Sequence, residues 1–432
     1  MDLIQRVYGA AARAATSILP FASPLNAKLA RGIEARQHAV RHLQDWARSE
    51  RDPARPLVWL HAPSVGEALM AQAIAESLRA LAPHAQLALT IFSPSAERVL
   101  ERMPVDVAGY LPWDTPDHAA ATMQALQPTA VGFVRTEVWP LMLDAARAAG
   151  ARTALVNAVL APSSSRLRWP ARLLLERLYS RLDAVGVVSA AHAARFGSLG
   201  VAAKNVHVTG DARFDQVLRR AVAVDRSSAL LGALGAPAAP LLVAGSTWGA
   251  DERLLIQALA PRVRSGELRM VIAPHEPTEA HLGALEASLA AADLRHQRIS
   301  AMSGPNDVTD GRVVIVDGVG MLADLYAVAH HAYVGGGFGS AGLHSVVEPA
   351  AHGVPVLFGP RHGNATEAAE LAAEGGGAVV TSTTALRAQS SAWCTNAAVY
   401  ARAAAAAQAF VRERSGGGER NAQLLIGMAG IE

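Results

Sequence analysis

Cysteine is nearly absent from the chain. Cys394 stands alone among 432 residues, which excludes an internal disulfide, a cysteine-built zinc site and a CxxC redox pair, and fits a reducing compartment. It reads either as a small buried apolar residue or as a nucleophile. Lysine is almost as scarce, since only Lys28 and Lys204 occur and the other cations are arginines. No block of five or six like charges is present and the net charge is +2, so the footprint of a duplex-binding protein is missing and nucleic acid is not an expected partner. Charged residues make up 18% and apolar ones 51%, which excludes a disordered or fibrous chain. No uncharged apolar run reaches 18 residues, so no transmembrane helix is expected. Neither GxxxxGK[ST] nor HExxH occurs, so no Walker A loop and no metal are expected.

What is present begins with an amphipathic start. Ile4, Val7, Tyr8, Ala11, Ala15, Ile18 and Leu19 recur at helical spacing opposite Arg6 and Arg13. Three readings stay open: a helix lying in a membrane interface, one packed on the protein's own body, or a cleaved signal peptide.

From Leu57 a short apolar strand, a Gly/Ser/Pro turn and a longer helix repeat. LVWLHA (57–62), QLALTI (86–91), TAVGFV (129–134), TALVN (153–157) and DAVGVV (183–188) are the strands of a first parallel sheet. After a stretch rich in small residues and proline the pattern restarts with LLVAG (241–245), RMVIA (269–273), VVIV (313–316), AYVGGG (332–337), VPVLFG (354–359) and GAVV (377–380). The expected fold is α/β, two tandem doubly wound Rossmann-like domains facing a central cleft. The expected segments are an N-terminal helix (1–25), a first domain (26–217), a linker (218–240), a second domain (241–405) and a C-terminal helix and tail (406–432), with a loop at SGPND (303–307) and a flexible segment at SGGGE (415–419).

Ligands of doubly wound sheets sit beyond the carboxyl ends of the strands, which directs attention to four turns. In HAPSVGE (61–67) Ser64 can cap a helix, Gly66 permits close approach, and Glu67 is either a capping carboxylate or a general base. In RTEVWP (135–140) Glu137 either shares base and substrate-holding work with Glu67 or pairs with an arginine; Trp139 is core or a sugar platform. In GSTW (245–248) Ser246 and Thr247 make an anion site or a plain cap. In YVGGGFGSAGLHSVVEP (333–349) the glycines would let a ligand touch the backbone, a helix is expected to begin near His344, and Glu348 one turn on would accept ribose hydroxyls. His275, in APHEPTE, also ends a strand. The fourth turn therefore reads as a nucleotide site.

HAPSVGE, LTIFSPSAERV, YLPWDTPDHA, RTEVWP, VTGDARFDQV, AGSTW, APHE, DGVGML and YVGGGFGSAGLHSVVEPAAHGVPVLFGP, in this order, resemble the 3-deoxy-D-manno-octulosonic acid (Kdo) transferases of lipopolysaccharide synthesis. The resemblance implies a GT-B glycosyltransferase with an acceptor domain followed by a donor domain. It implies CMP-Kdo as donor and a lipid A precursor as acceptor, at the cytoplasmic face of the inner membrane. Glu67 matches the family's base and Glu137 its second acidic turn; Ser64 and Gly66 join them on the acceptor side. Glu348 matches the glutamate that holds the nucleotide. Arg213, Ser246, Thr247, His275, Gly320, Gly336, Gly337, Phe338, His344 and Ser345 complete the expected donor set, with no metal or other cofactor. The chain departs from many members in having Ser345 in place of asparagine, and His275 with Glu276 in place of arginine and histidine. The implied reaction is direct displacement with inversion. The rival readings are a GT-B enzyme using a UDP-hexosamine, of the lipid A disaccharide synthase or epimerase type, and a non-catalytic sugar-binding protein.

Overall fold

A computed structural model describes residues 3–22, 27–235, 239–302 and 313–431; the expected loop at 303–307 lies outside them. The chain forms two compact units, one of residues 1–216 and 415–432, the other of residues 217–414.

The first unit is built on a parallel sheet of β1 (Leu57–Ala62), β2 (Gln86–Ile91), β3 (Val107–Tyr110), β4 (Ala130–Val134), β5 (Arg152–Ala158), β6 (Ala184–Val187) and β7 (Val206–Val208), in the order β3-β2-β1-β4-β5-β6-β7. The second carries β8 (Leu241–Thr247), β9 (Arg269–Pro274), β10 (His296–Arg298), β11 (Val313–Ile315), β12 (His331–Val334), β13 (Val356–Phe358) and β14 (Gly377–Val379), in the order β10-β11-β9-β8-β12-β13-β14. Both are doubly wound α/β sheets, as the alternating pattern implies. The central strands β1, β2 and β4 are buried at every position, because helices cover both faces, and so they read as continuous apolar runs. Each strand expected from the sequence is present, β1 and β2 with the expected ends and the others with slightly shifted ones. The three not expected, β3, β7 and β10, are all sheet edges; the half-buried HQR of β10 carries no apolar signal to read.

Strand order locates the binding crevices. In the first sheet the winding reverses between β1 and β4, and in the second between β8 and β12. Ligands of such sheets occupy the crevice at that reversal. The turns after β1 and β4 carry Glu67 and Glu137, and the turns after β8 and β12 carry Ser246 and the glycine run.

Most of the supposed linker at 218–240 is helical, in helices Ala212–Ala223 and Ala229–Gly235, and Leu231 and Leu234 are buried in the second unit's core. The leucines override the loop-like composition. The second unit runs on to Arg414, through the helix Ala397–Arg414, beyond the expected limit at 405.

SGGGE is not a flexible segment. It opens the helix Gly417–Ala429, which belongs to the first unit and packs on the alanine-rich helix Val65–Leu81. Asp215 accepts from Gly416 N at 2.7 Å and Gly418 N at 3.1 Å. A Cβ on Gly417 would lie 2.6 Å from the Asp211 backbone, and one on Gly418 3.0 Å from Ala73 O. These glycines are required by close packing. Asn421, fully buried, accepts from Asn157 N at 3.0 Å and from Thr209 Oγ1 at 3.1 Å.

The N-terminal helix, Leu3–Ala22, rests on the first unit through Tyr8 and through Arg13, which pairs with Asp117 at 3.1 Å. Its Val7, Ala11, Ala15 and Ile18 form an exposed apolar row. The expected stripe is thus split, part turned to the body and part to solvent. No helix among the described residues is long and apolar enough to cross a membrane.

Candidate active site

The β1 strand ends at Ala62, and the helix Val65–Leu81 starts three residues later with Ser64 as its extended N-cap. Ser64 does not cap a backbone N–H; its hydroxyl bonds Glu67 Oε2 instead. That contact fixes the carboxylate in the first turn and leaves Oε1 for another proton donor. Gly66 is exposed, and a Cβ there would meet only Ser64 Oγ at 3.9 Å. The fold itself does not need glycine at this position, and the space above it is open.

Glu137 lies in the neighbouring turn, after β4. Partial burial raises its carboxyl above the ordinary glutamate range; Arg166 opposes that shift and the charge of Glu67 adds to it. Tyr179 braces the same turn by donating to Thr136 O at 2.7 Å.

A chain of planar groups holds this edge of the sheet. Trp139 Nε1 donates to His61 Nε2 at 3.0 Å, and His61 Nδ1 meets Thr90 Oγ1 at 3.0 Å. An indole can only donate, so Nε2 must accept and the ring proton sits on Nδ1. Burial lowers His61 to a pKa of about 3, which keeps it neutral. Phe92 stacks on Trp139 at 5.0 Å, and the Arg36 guanidinium lies 3.6 Å over Phe92. Arg36 is itself buried, donates to Gly32 O at 2.8 Å and bonds Phe92 O, while its Nε has no partner. Burial brings it down to a pKa of about 10. Trp139 packs against the first unit's core, and the contact of Arg36 with Phe92 is one that the sequence did not disclose. Its signal is weak there: one arginine among many on a charged helix.

In the second unit Asp251 ties the two crevice turns together. Fully buried, it accepts from Trp248 N at 3.0 Å, Tyr333 OH at 2.7 Å and Gly336 N at 3.0 Å. Thr247 is also buried, and its hydroxyl donates to Glu252 Oε1 at 2.8 Å. The expected anion site at Ser246 and Thr247 is corrected accordingly. Two carboxylates already occupy the first turn of the helix Gly249–Arg264, leaving Ser246, at φ +52 and half-buried, as the one accessible hydroxyl of that pair.

The glycine run also has a different role from the one expected. A Cβ on Gly335 would lie 2.3 Å from Ser246 O, on Gly336 2.0 Å from Gly342 O, and on Gly337 2.7 Å from Gly359. These residues are glycine because backbone meets backbone, not to admit a ligand. Phe338, half-buried, packs against the second unit's core. No helix begins at His344; the short helix is Val347–Ala351, with Glu348 in its first turn.

What gathers at this edge is a ring stack. Trp248 lies 5.0 Å from His275, and His275 lies 4.2 Å from His344 in a stacked pair. Trp248 Nε1 donates to His344 Nε2 at 3.3 Å. His275 and Ser345 are exposed. Glu348 belongs to a second group with Arg220 and Asp324; burial raises its carboxyl, Arg220 opposes and Asp324 adds. Arg220 in turn donates to Gly320 O at 3.0 Å, and Gly320 is exposed at φ +97. Arg213 lies in the first unit, where its Nε donates to Asp211 at 2.8 Å. One set of potential metal ligands exists among the described residues, His330, His331 and Cys394. It lies at the start of β12, the opposite end from the crevice. Cys394 is half-buried against the second unit's core.

The family model for 3-deoxy-D-manno-octulosonic-acid transferase (kdotransferase) matches residues 35–216. The 3-deoxy-D-manno-octulosonic acid transferase of Haemophilus influenzae is 26% identical over 76% of each chain. Among solved structures, the UDP-GlcNAc 2-epimerase of Neisseria meningitidis superposes with a TM-score of 0.62 at 13% identity, covering 86% of this chain and 99% of the epimerase. A glycosyltransferase of Rickettsia africae gives 0.56 at 11% identity, covering 87% and 98%. At such identities the likeness is one of fold, GT-B. The 3-deoxy-D-manno-octulosonic acid transferase of Bordetella pertussis is 32% identical over 77% of this chain and 78% of its own length. The chain belongs to the 3-deoxy-D-manno-octulosonic acid (Kdo) transferase family.

Proposed function

We propose that the protein transfers Kdo from CMP-Kdo to a hydroxyl of a lipid A precursor, with inversion, at the cytoplasmic face of the inner membrane. The observation that carries this is the placement of Glu67 and Glu137 on both sides of the winding reversal in the first sheet, where a doubly wound domain holds its ligand.

An alcohol is a weak nucleophile at neutral pH, so its proton must leave as the new bond forms. Glu67 Oε1 takes that proton while Ser64 holds Oε2. The acceptor oxygen bonds to the anomeric carbon of Kdo, the bond from that carbon to the phosphate breaks, and CMP departs with the electron pair. Glu137 accepts hydrogen bonds from hydroxyls of the acceptor and so orients it. In the second unit Ser246, His275, His344 and Ser345 take the phosphate side and Glu348 the ribose. Thr247 and Arg213, spent on Glu252 and Asp211, are left out of the donor set. No step needs a metal, since positive potential can come from backbone amides and ring N–H groups.

Incubation with CMP-Kdo and a tetraacyl lipid A precursor, followed by mass analysis of the product and determination of its anomeric configuration, tests the reading. A Kdo-bearing product with inverted configuration is expected. Binding of UDP-N-acetylglucosamine in preference to CMP-Kdo would transfer the protein to the UDP-hexosamine alternative.

A further inference from the structure

At the start of β12 the second unit holds a group of side chains that the transfer reaction leaves unused. His330 and His331 are neighbours in sequence, yet their rings stand at 87°, and Nδ1 of one lies 3.2 Å from Nδ1 of the other. Cys394, near the end of the helix Thr383–Thr395, brings its sulfur to the same place, so that one nitrogen of each ring and Sγ all lie within 4.8 Å of one another. Their surroundings hold the rings. His331 is fully buried, its Nε2 meets the equally buried Ser390 Oγ at 2.9 Å, and Trp393 lies edge-on to it at 5.9 Å. Tyr400 stacks on His330 at 4.0 Å. His330 and Cys394 are half-buried, so the group borders on solvent. His331 and Ser390 are 59 residues apart, and no short ligand spacing announces the site.

We propose that His330, His331 and Cys394 bind a zinc ion, which ties the start of β12 to the helix Thr383–Thr395. Two ring nitrogens that face each other share either a proton or a cation. One proton would serve the imidazole pair alone and leave the sulfur without a role, whereas a cation uses all three lone pairs. The spacing agrees, since two nitrogens about 2.0 to 2.1 Å from one tetrahedral ion stand about 3.3 Å apart. Zinc–sulfur bonds are longer, about 2.3 Å, so the sulfur stands farther out. Ser390 supplies what a ligating histidine needs behind it: a ring that binds metal through Nδ1 carries its proton on Nε2, and the serine oxygen accepts that hydrogen bond. On binding, the thiol releases its proton to water, and a proton on either facing Nδ1 moves to Nε2 of the same ring. The thiolate cancels one of the ion's two charges, and Arg262, whose charge bears on His331, is itself paired with Glu267 at 3.4 Å. Two imidazoles with one thiolate select zinc over magnesium or calcium and leave a fourth position for water. The site lies at the end of β12 away from the glycine turn, so its part is structural and independent of the proposed transfer.

The test uses full-length protein without a polyhistidine tag, stripped of metal by a chelator and titrated with zinc against a chromophoric competitor. One zinc per chain is expected. Cys394→Ser and His330→Asn should each weaken binding about a hundredfold or more, and Ser390→Ala, which keeps all three ligands, about tenfold. Cobalt(II) in place of zinc should show a sulfur-to-metal charge-transfer band that vanishes in Cys394→Ser. Zinc should raise the melting temperature of the wild-type protein and leave that of Cys394→Ser unmoved. Without metal the two should melt together, which separates lost binding from lost folding. If His330→Asn melts lower, Cys394→Ser carries the test alone. Absence of stoichiometric zinc from the wild type, full zinc affinity in Cys394→Ser, a cobalt spectrum without the sulfur band, or uptake of copper(I) with none of zinc overturns the proposal. Loss of Kdo transfer on zinc removal, below the melting transition, overturns the structural role. If zinc binds as expected and no Kdo is transferred under any condition, the metal site stands and the proposed function fails.

Discussion

Trp139 donates its indole N–H to the inner nitrogen of His61 at 3.0 Å, fastening the turn that carries Glu137 to the strand that precedes Glu67. The bond is between a donor that cannot accept and an imidazole too buried to take up a proton. With His61 lowered to about 3 by burial, the direction of the bond is kept throughout the neutral range.

Trp139→Phe tests the consequence. The variant keeps the stack on Phe92 but leaves His61 Nε2 buried without a donor, at a cost of about 1 to 3 kcal/mol. Acceptor KM should rise and kcat fall, while CMP affinity, which the proposed function assigns to the second unit, stays unchanged. Isothermal titration and steady-state kinetics measured side by side check the split.

Glu67→Gln preserves shape and the Ser64 contact but cannot receive a proton. It should lower kcat by roughly 10² to 10⁴ with folding and CMP affinity nearly intact. A variant that retains more than about a tenth of wild-type kcat would move the base role to Glu137.

Glu348→Ala should weaken CMP binding by about 1.5 to 3 kcal/mol if the carboxylate accepts ribose hydroxyls. Its neighbours Arg220 and Asp324 give a control. If Glu348 serves only to balance Arg220, calorimetry will show unaltered CMP affinity and the loss will be one of thermal stability.

Acid sensitivity follows from the buried imidazoles. His61 and His331 are each lowered to about 3 by burial, so the unfolded chain takes up protons near pH 6.5 that the folded one refuses. Their contribution to stability is complete above pH 6.5 and is lost as pH falls toward 3, at about 1.4 kcal/mol per pH unit for each. Asp114, raised to about 6 chiefly by burial, acts in the opposite sense: it favours the folded state at low pH, and that benefit fades as pH climbs through 6. Denaturant titrations of His331→Gln between pH 4 and 6 should show the slope for the second unit reduced by about 1.4 kcal/mol per unit, with the first unit unaffected. An unchanged slope would mean that His331 is protonated in the folded protein.

Much of this architecture is legible in the sequence, and the reasons are local. The runs LVWLHA and QLALTI are buried on both faces, so composition alone marks them as strands. Glu67 and Glu137 stand out because each follows such a run within a turn. The glycine run was visible but its meaning was not: the partners of Gly335, Gly336 and Gly337 are the backbones of Ser246, Gly342 and Gly359, and no reading of one segment can supply the other. Thr247 resembles an anion-binding hydroxyl until Glu252, five residues on, is seen to accept its hydrogen bond. Arg36 was invisible for a similar reason, since its partner Phe92 lies 56 residues away. Position within a pattern can be read from the chain, whereas the identity of a distant partner cannot.

The bond from Asn157 N to Asn421 crosses 264 residues of sequence, and it bears on how the protein is made. During synthesis the second unit, one unbroken segment, is complete when Arg414 leaves the ribosome. The first unit, begun far earlier, must wait with its helix Val65–Leu81 uncovered and Asn157 unmatched until the last helix emerges. Domains otherwise tend to fold in the order of translation. Here the unit that starts first finishes second, and a nascent chain stalled before residue 417 should expose the alanine-rich face of that helix to chaperones.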